Sequence, residues 1–175
     1  MILLSTAILF VVTGVTRAQQ TLPSHTSNLH AEPSQSNHHT VRVDERGDKG
    51  MGFSHATTTH HFRLYNDGGA IGVEANDPKD EESKAQVRSH LQMIARKFKA
   101  GDFSLPMFIH ATTPPGMKAL QRRKAHITYR YEQTTNGAQV RLLTKDRQAR
   151  NAIHAFLRFQ INDHRTGDQT TVQRS

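Results

Sequence analysis

Twice along this chain, a stretch of period-two alternation broken by a turn passes into an apolar stripe at helical spacing. Few architectures accommodate that order. In the first instance His60, Phe62 and Leu64 alternate with His61, Arg63 and Tyr65, and the Asn66 to Gly69 run NDGG supplies residues that tolerate positive φ. Ala70 to Ala75, carrying Ile71 and Val73, then reads as a return strand. Asp77 followed by Pro78 reads as a helix cap with a first-turn proline, and Asp80, Glu81 and Glu82 suit the positive end of a helix dipole. Val87, Leu91, Ile94 and Phe98 fall on one helical face, which Gly101 ends.

The second instance repeats the scheme. Ile127, Tyr129 and Tyr131 alternate, Thr135 to Gly137 turns the chain, and Val140 and Leu142 mark the return. Asp146 is positioned to cap a helix with the stripe Ile153, Phe156, Leu157 and Ile161, and Gly167 to close it. The connector between the halves holds Pro106, Pro114, Pro115 and Gly116, with a short helix expected over Met117 to Arg122. The order ββα-ββα predicts an α+β fold: a four-stranded antiparallel sheet with two helices on one face and the opposite face open.

The chain opens with Met1 and an apolar run from Ile2 to Val15, interrupted only by Ser5, Thr6, Thr13 and Gly14. That run is short for a permanent bilayer anchor and reads as a signal peptide over residues 1–18, with Thr16 and Ala18 preceding a cleavage point at Gln19. A periplasmic or secreted destination follows. Residues 19–50, rich in Ser, Thr, Gln, Asn, His and Pro and then in charge and glycine, read as a disordered linker. Residues 51–168 form the predicted single domain, and 169–175 a flexible tail. Cysteine is absent, which excludes disulfides and thiolate chemistry and, with no lipobox cysteine, argues against a lipid anchor, so an apolar core must carry stability. Lysine and arginine number 23 against 15 acids, a formal charge of +8 that becomes +7 when Arg17 leaves with the leader. Such a surface favours anionic partners, and export disfavours nucleic acid among them.

The twelve histidines are the unusual component. Neutral imidazole ligates zinc and copper, and thioether sulfur favours Cu(I). His55, His60 and His61 cluster near Met51, and His110 follows Met107, so these four histidines are the candidate ligands for Cu or Zn. Adjacent positions His60 and His61 point to opposite faces of a regular strand, which counts against one ion taking both. No HExxH or HxH pattern occurs. His90 and His154 flank apolar helical faces and read more simply as hydrogen-bonded core histidines. On the open sheet face, alternation places His61, Arg63, His126, Thr128, Arg130 and Arg141; Arg63, His126, Arg130 and Arg141 are the candidate contacts for a small anionic ligand, the bland alternative being a solvated face. No GxSxG elbow, P-loop or dinucleotide-binding glycine pattern is present, and Gly68-Gly69 is accounted for by the turn. Catalysis would rest on histidines beside Thr57 to Thr59, Asp163 or Asp168, and a self-associating structural domain is a further alternative.

The stretches MGFSHATTTHHFRL (Met51 to Leu64) and IHAFLRFQINDHRTGD (Ile153 to Asp168), with VEANDP at Val73 to Pro78 and MFIH at Met107 to His110, resemble an uncharacterised family of small exported bacterial proteins. The resemblance covers most of the predicted domain and implies no activity. An aspartate carbamoyltransferase label carried by some of that family is unsupported here, because that enzyme needs two α/β domains and an STRT-type loop. The expectation is an exported protein that binds a transition metal ion or a small anion.

Overall fold

The computed structural model describes residues 35–175. The expected signal peptide and the first part of the expected linker lie outside the described residues. The elements are α1 (Gln35–Met51), β1 (Thr58–Tyr65), β2 (Gly68–Ala75), α2 (Glu81–Ala100), α3 (Ser104–His110), α4 (Met117–Arg122), β3 (Thr128–Gln133), β4 (Gly137–Leu143) and α5 (Arg147–His164), with a 3-10 turn at Lys124–His126. The fold is α+β, as the alternation predicts. Its four antiparallel strands run β1-β2-β4-β3, so the two hairpins join through their return strands.

Register puts Phe62, Ile71, Val140 and Tyr131 in one row and Leu64, Gly69, Leu142 and Tyr129 in the next. These rows face the helices. The hairpin loop is the two residues Asn66 and Asp67, which leaves Gly68 and Gly69 inside β2. Turn chemistry is therefore only part of the reason for them: a Cβ on Gly68 would collide with the Leu142 carbonyl, and one on Gly69 with the Leu157 side chain. Close approach of β4 and α5 requires bare backbone there.

α2 begins at Asp80, whose carboxylate accepts from the Ser83 amide at 2.9 Å. Asp77, the cap expected from sequence, instead accepts from the Lys79 amide in the preceding turn. Gly101 ends the helix in the left-handed conformation as expected. α5 is capped by Asp146, which accepts from the Ala149 amide at 2.7 Å. Its left-handed terminus is Arg165, not Gly167, although Gly167 also has positive φ.

α2 packs chiefly over β3 and β4, while α5 packs over β1 and β2. Each helix thus covers the hairpin of the other half, and neither half encloses a core alone. The shared core centres on Phe98, Phe103 and Phe156, with Phe98 and Phe103 stacked at 4.3 Å between centroids. His154 is a hydrogen-bonded core histidine, its Nε2 lying 2.9 Å from the carbonyls of Tyr65 and Gly68.

Three helices join the ββα-ββα frame. α4 occupies the expected residues. α3 is tolerated despite Pro106 because the proline falls in its first turn, where a missing N–H costs nothing. α1 corrects the reading of residues 19–50 as a linker, since 35–50 are helical. Its composition is a poor helix former, but tertiary contacts hold it. Val43 is fully buried, and Arg46 Nε donates to the Ile109 carbonyl at 2.6 Å. The expected tail is also placed: the Gln173 amide donates to Leu64 O at 2.9 Å and its carbonyl accepts from the Asn66 amide, covering part of the β1 edge. Among the described residues no helix is long and apolar enough to cross a membrane.

A cavity lined by four histidines

On β1, His60 shares the core face with Phe62 and Leu64, and its row partners, Val73 and Ala138, are small. Room is left above them. His90 reaches that room from α2, Met51 is the last residue of α1, His110 the last of α3 and His164 the last of α5. These residues, with Phe62, Leu105, Gln160 and neighbouring core residues, line a cavity of about 50 Å³. Three helices end at its wall, and the C-terminal end of a helix carries partial negative charge that favours a cation.

The imidazoles stack against one another and against phenylalanine. His60 and His164 lie nearly parallel with centroids 5.5 Å apart, and His110 meets His164 edge-on at 4.9 Å. Phe53 stacks on His60 and meets His90 edge-on. Burial, reinforced by the neighbouring His164, His90 and His61, pushes His60 from the ordinary value of 6.5 down to about 3. Burial also pushes His164 down to about 4, with His110 adding to it, and His90 to about 4 against a partial offset from the Met51 carbonyl. All three rings are neutral at pH 7. His90 Nδ1 is buried without a hydrogen-bond partner, and neither His60 nor His164 has a side-chain hydrogen bond among the described residues. Neutral imidazoles with unused nitrogens are therefore collected around a mostly apolar space.

His110 differs. Its ring is 1% exposed, with Nδ1 2.5 Å from Asp163 Oδ2 and Nε2 2.9 Å from Gln160 Oε1. The other Asp163 oxygen lies 2.8 Å from His39 Nε2 on α1. Burial raises the Asp163 carboxyl, but hydrogen bonds and charge from His39 and His110 outweigh it and leave the group below the usual carboxylate range. The chain Gln160, His110, Asp163, His39 thus connects the cavity wall to the surface.

The four ligands expected from sequence are separated. His60 and His110 line the cavity. His55 lies in the loop after α1, 2.9 Å from Asp48, and His61 points to the other sheet face, where its Nδ1 is 3.2 Å from Asp168. Among the described residues no three His, Cys, Asp or Glu side chains are grouped to hold a metal ion. His164 and His90 are the cavity residues missing from the expected set, since convergence of four distant elements leaves no local spacing to read.

On the open face, Arg63, Arg141 and Arg130 do share one cross-strand row, through Ala70. Arg141, however, lies 4.5 Å over the Tyr65 ring and donates to Asp67 at 3.2 Å, while Arg130 pairs with Glu132 at 2.6 Å. Arg63 alone of the three has no ion pair among the described residues. His126 sits beyond the strand, in the 3-10 turn, beside a groove lined by Asp67, Thr128 and Lys145. The four expected anion contacts do not form a common site.

No family model, curated protein or solved structure matches this chain.

Proposed function

We propose that the protein is a binding module for a transition-metal ion, with Cu(I) the best fit, taken up at the cavity by ring nitrogens of His60 and His164 with His90 and Met51 adjacent. The observation that supports this reading is the convergence of three imidazoles held neutral by burial, His60, His90 and His164, on one cavity, with His90 Nδ1 buried there without a partner. Leaving His90 Nδ1 unpaired costs about 1–3 kcal/mol, a cost that a bound ion removes. Volume favours an ion over an organic molecule. A cavity that takes benzene measures roughly 150 Å³, three times the volume present here.

Ligand chemistry favours copper over zinc. Structural zinc requires four ligands in tetrahedral array, whereas Cu(I) accepts two or three and is favoured by thioether sulfur such as that of Met51. The converging helix C-termini supply a field suited to a cation. Export, expected from residues 1–18, remains part of the proposal.

Metal analysis by mass spectrometry of untagged protein, followed by anaerobic Cu(I) titration against a chromogenic chelator, tests the assignment. Stoichiometric binding that weakens at least tenfold in both His60→Ala and His164→Ala, and is unchanged in His55→Ala and His61→Ala, is the expected result. Equal binding by wild type and the two cavity variants would refute it.

A further inference from the structure

A second site lies on the other side of His110. Between α1 and the end of α3 runs an open groove of about 670 Å³, lined by His38, His39, Arg42, Arg46, His110, Ala111 and Thr112. That volume is in the usual range for small-molecule sites. Among the described residues no carboxylate lines it, and Asp163 behind it is already shared by His39 and His110. His38, Arg42 and Arg46 follow one another at single helical turns along α1, so their side chains form one stripe.

The two arginines are differently prepared. Arg46 Nε donates to the Ile109 carbonyl, which fixes its guanidinium plane and leaves the terminal nitrogens to donate elsewhere. Arg42 is exposed and has no hydrogen bond or ion pair among the described residues. Two permanent cations one turn apart, one held rigid, match the paired oxygens of an oxyanion. Thr112 supplies a hydroxyl at the groove wall.

We infer that this groove binds the oxyanion group, phosphate or carboxylate, of a small molecule, with Arg42 and Arg46 as the principal contacts. The inference is independent of the metal reading, because it uses none of His60, His90 or His164. It also differs from the anion face expected from sequence, whose arginines are on the opposite side of the sheet and largely paired.

Titration of the full chain with inorganic phosphate and, separately, with citrate, followed by NMR at 0.15 M NaCl, tests it. Saturable binding of either anion that weakens at least tenfold in Arg42→Gln and in Arg46→Gln, but not in Arg63→Gln, supports the site. Preference for phosphate or for citrate then identifies the oxyanion. Because Arg46→Gln also removes the bond to Ile109, Arg42→Gln, at an exposed position, is the decisive variant. Binding that does not saturate, or that Arg42→Gln leaves unchanged, overturns the inference.

Discussion

Replacing His60 by leucine should stabilise the metal-free protein, and by an amount that grows with acidity. At pH 7 the substitution removes a partly buried neutral imidazole without hydrogen bonds to the described residues and puts an apolar side chain of similar size among Phe53, Phe62 and Val73. Exchanging the imidazole for apolar surface against these neighbours contributes about 1 kcal/mol. The acid effect follows from linkage. His60 titrates near 3 in the folded protein against 6.5 unfolded, so between those values the unfolded chain binds the extra proton and stability falls as pH falls. By pH 5 that amounts to about 2 kcal/mol, at 1.36 kcal/mol for each pH unit below 6.5.

The leucine variant lacks this loss, so its advantage over wild type should widen by about 2 kcal/mol between pH 7 and pH 5. In melting temperature that is a further gain of about 4–8 °C for a chain of this size. Urea denaturation followed by circular dichroism at the two pH values measures both quantities. If the difference between variant and wild type is the same at pH 5 as at pH 7, His60 is not held neutral. If leucine destabilises at both, the imidazole is satisfied, and the argument for a ligand in the cavity loses its main support.

Asp163→Asn should cost about 1–3 kcal/mol at pH 7, because the carboxylate accepts from both His39 and His110. The folded Asp163 pKa is depressed, so its stabilising contribution is present above the unfolded value of about 3.9 and is lost as pH falls through the folded one; denaturation curves for wild type and variant should converge in strong acid. Gly116→Ala places a Cβ against the Ala152 backbone at a position with φ of +82°, and a melting temperature unchanged within error would contradict that collision; the expected loss is about 2 kcal/mol or more. Asp146→Ala removes the side chain that caps α5, for an expected loss of about 1 kcal/mol by calorimetry.

What could be read from the sequence was local. Alternation at His60 to Tyr65 and at Ile127 to Tyr131 gave the strands, and the stripes at Val87 to Phe98 and Ile153 to Ile161 gave the long helices, because period and capping residues are encoded within a few turns. Contacts between distant segments were not legible. α1 contains Gly47 and Gly50 and has a polar average, so intrinsic propensity points away from a helix; burial of Val43 and the Arg46 bond to Ile109 decide otherwise. The cavity was hidden for the same reason. Met51, His60, His90, His110 and His164 occupy five separate elements, and only the exchange of α2 and α5 over each other's hairpins brings them together.

That placement has an energetic implication that bears on both proposals. Several positions in this protein use polar groups economically: His154 takes two carbonyls, and Asp168 takes the Phe62 amide with His61 and Thr166. Among the described residues, two of the buried polar atoms left without a partner, His90 Nδ1 and Gln160 Nε2, meet at the cavity, while Tyr129 Oη, Thr134 Oγ1, Asn136 Oδ1 and Arg141 Nε lie away from it. Local violations of polar satisfaction in an otherwise consistent fold concentrate where function needs them. Neutral imidazoles at these positions make the fold acid-sensitive without adding hydrogen bonds at His60 or His164, which is consistent with a ligand at the cavity. The access route follows from the same reasoning. Met51, at the end of the weak helix α1, forms part of the cavity wall, and an element with so little intrinsic helicity is the cheapest to open. Amides of α1 should accordingly exchange hydrogen faster than those of α2 or α5 in the free protein and slow on saturation with Cu(I). Slow exchange across α1 before any metal is added would place the entrance elsewhere.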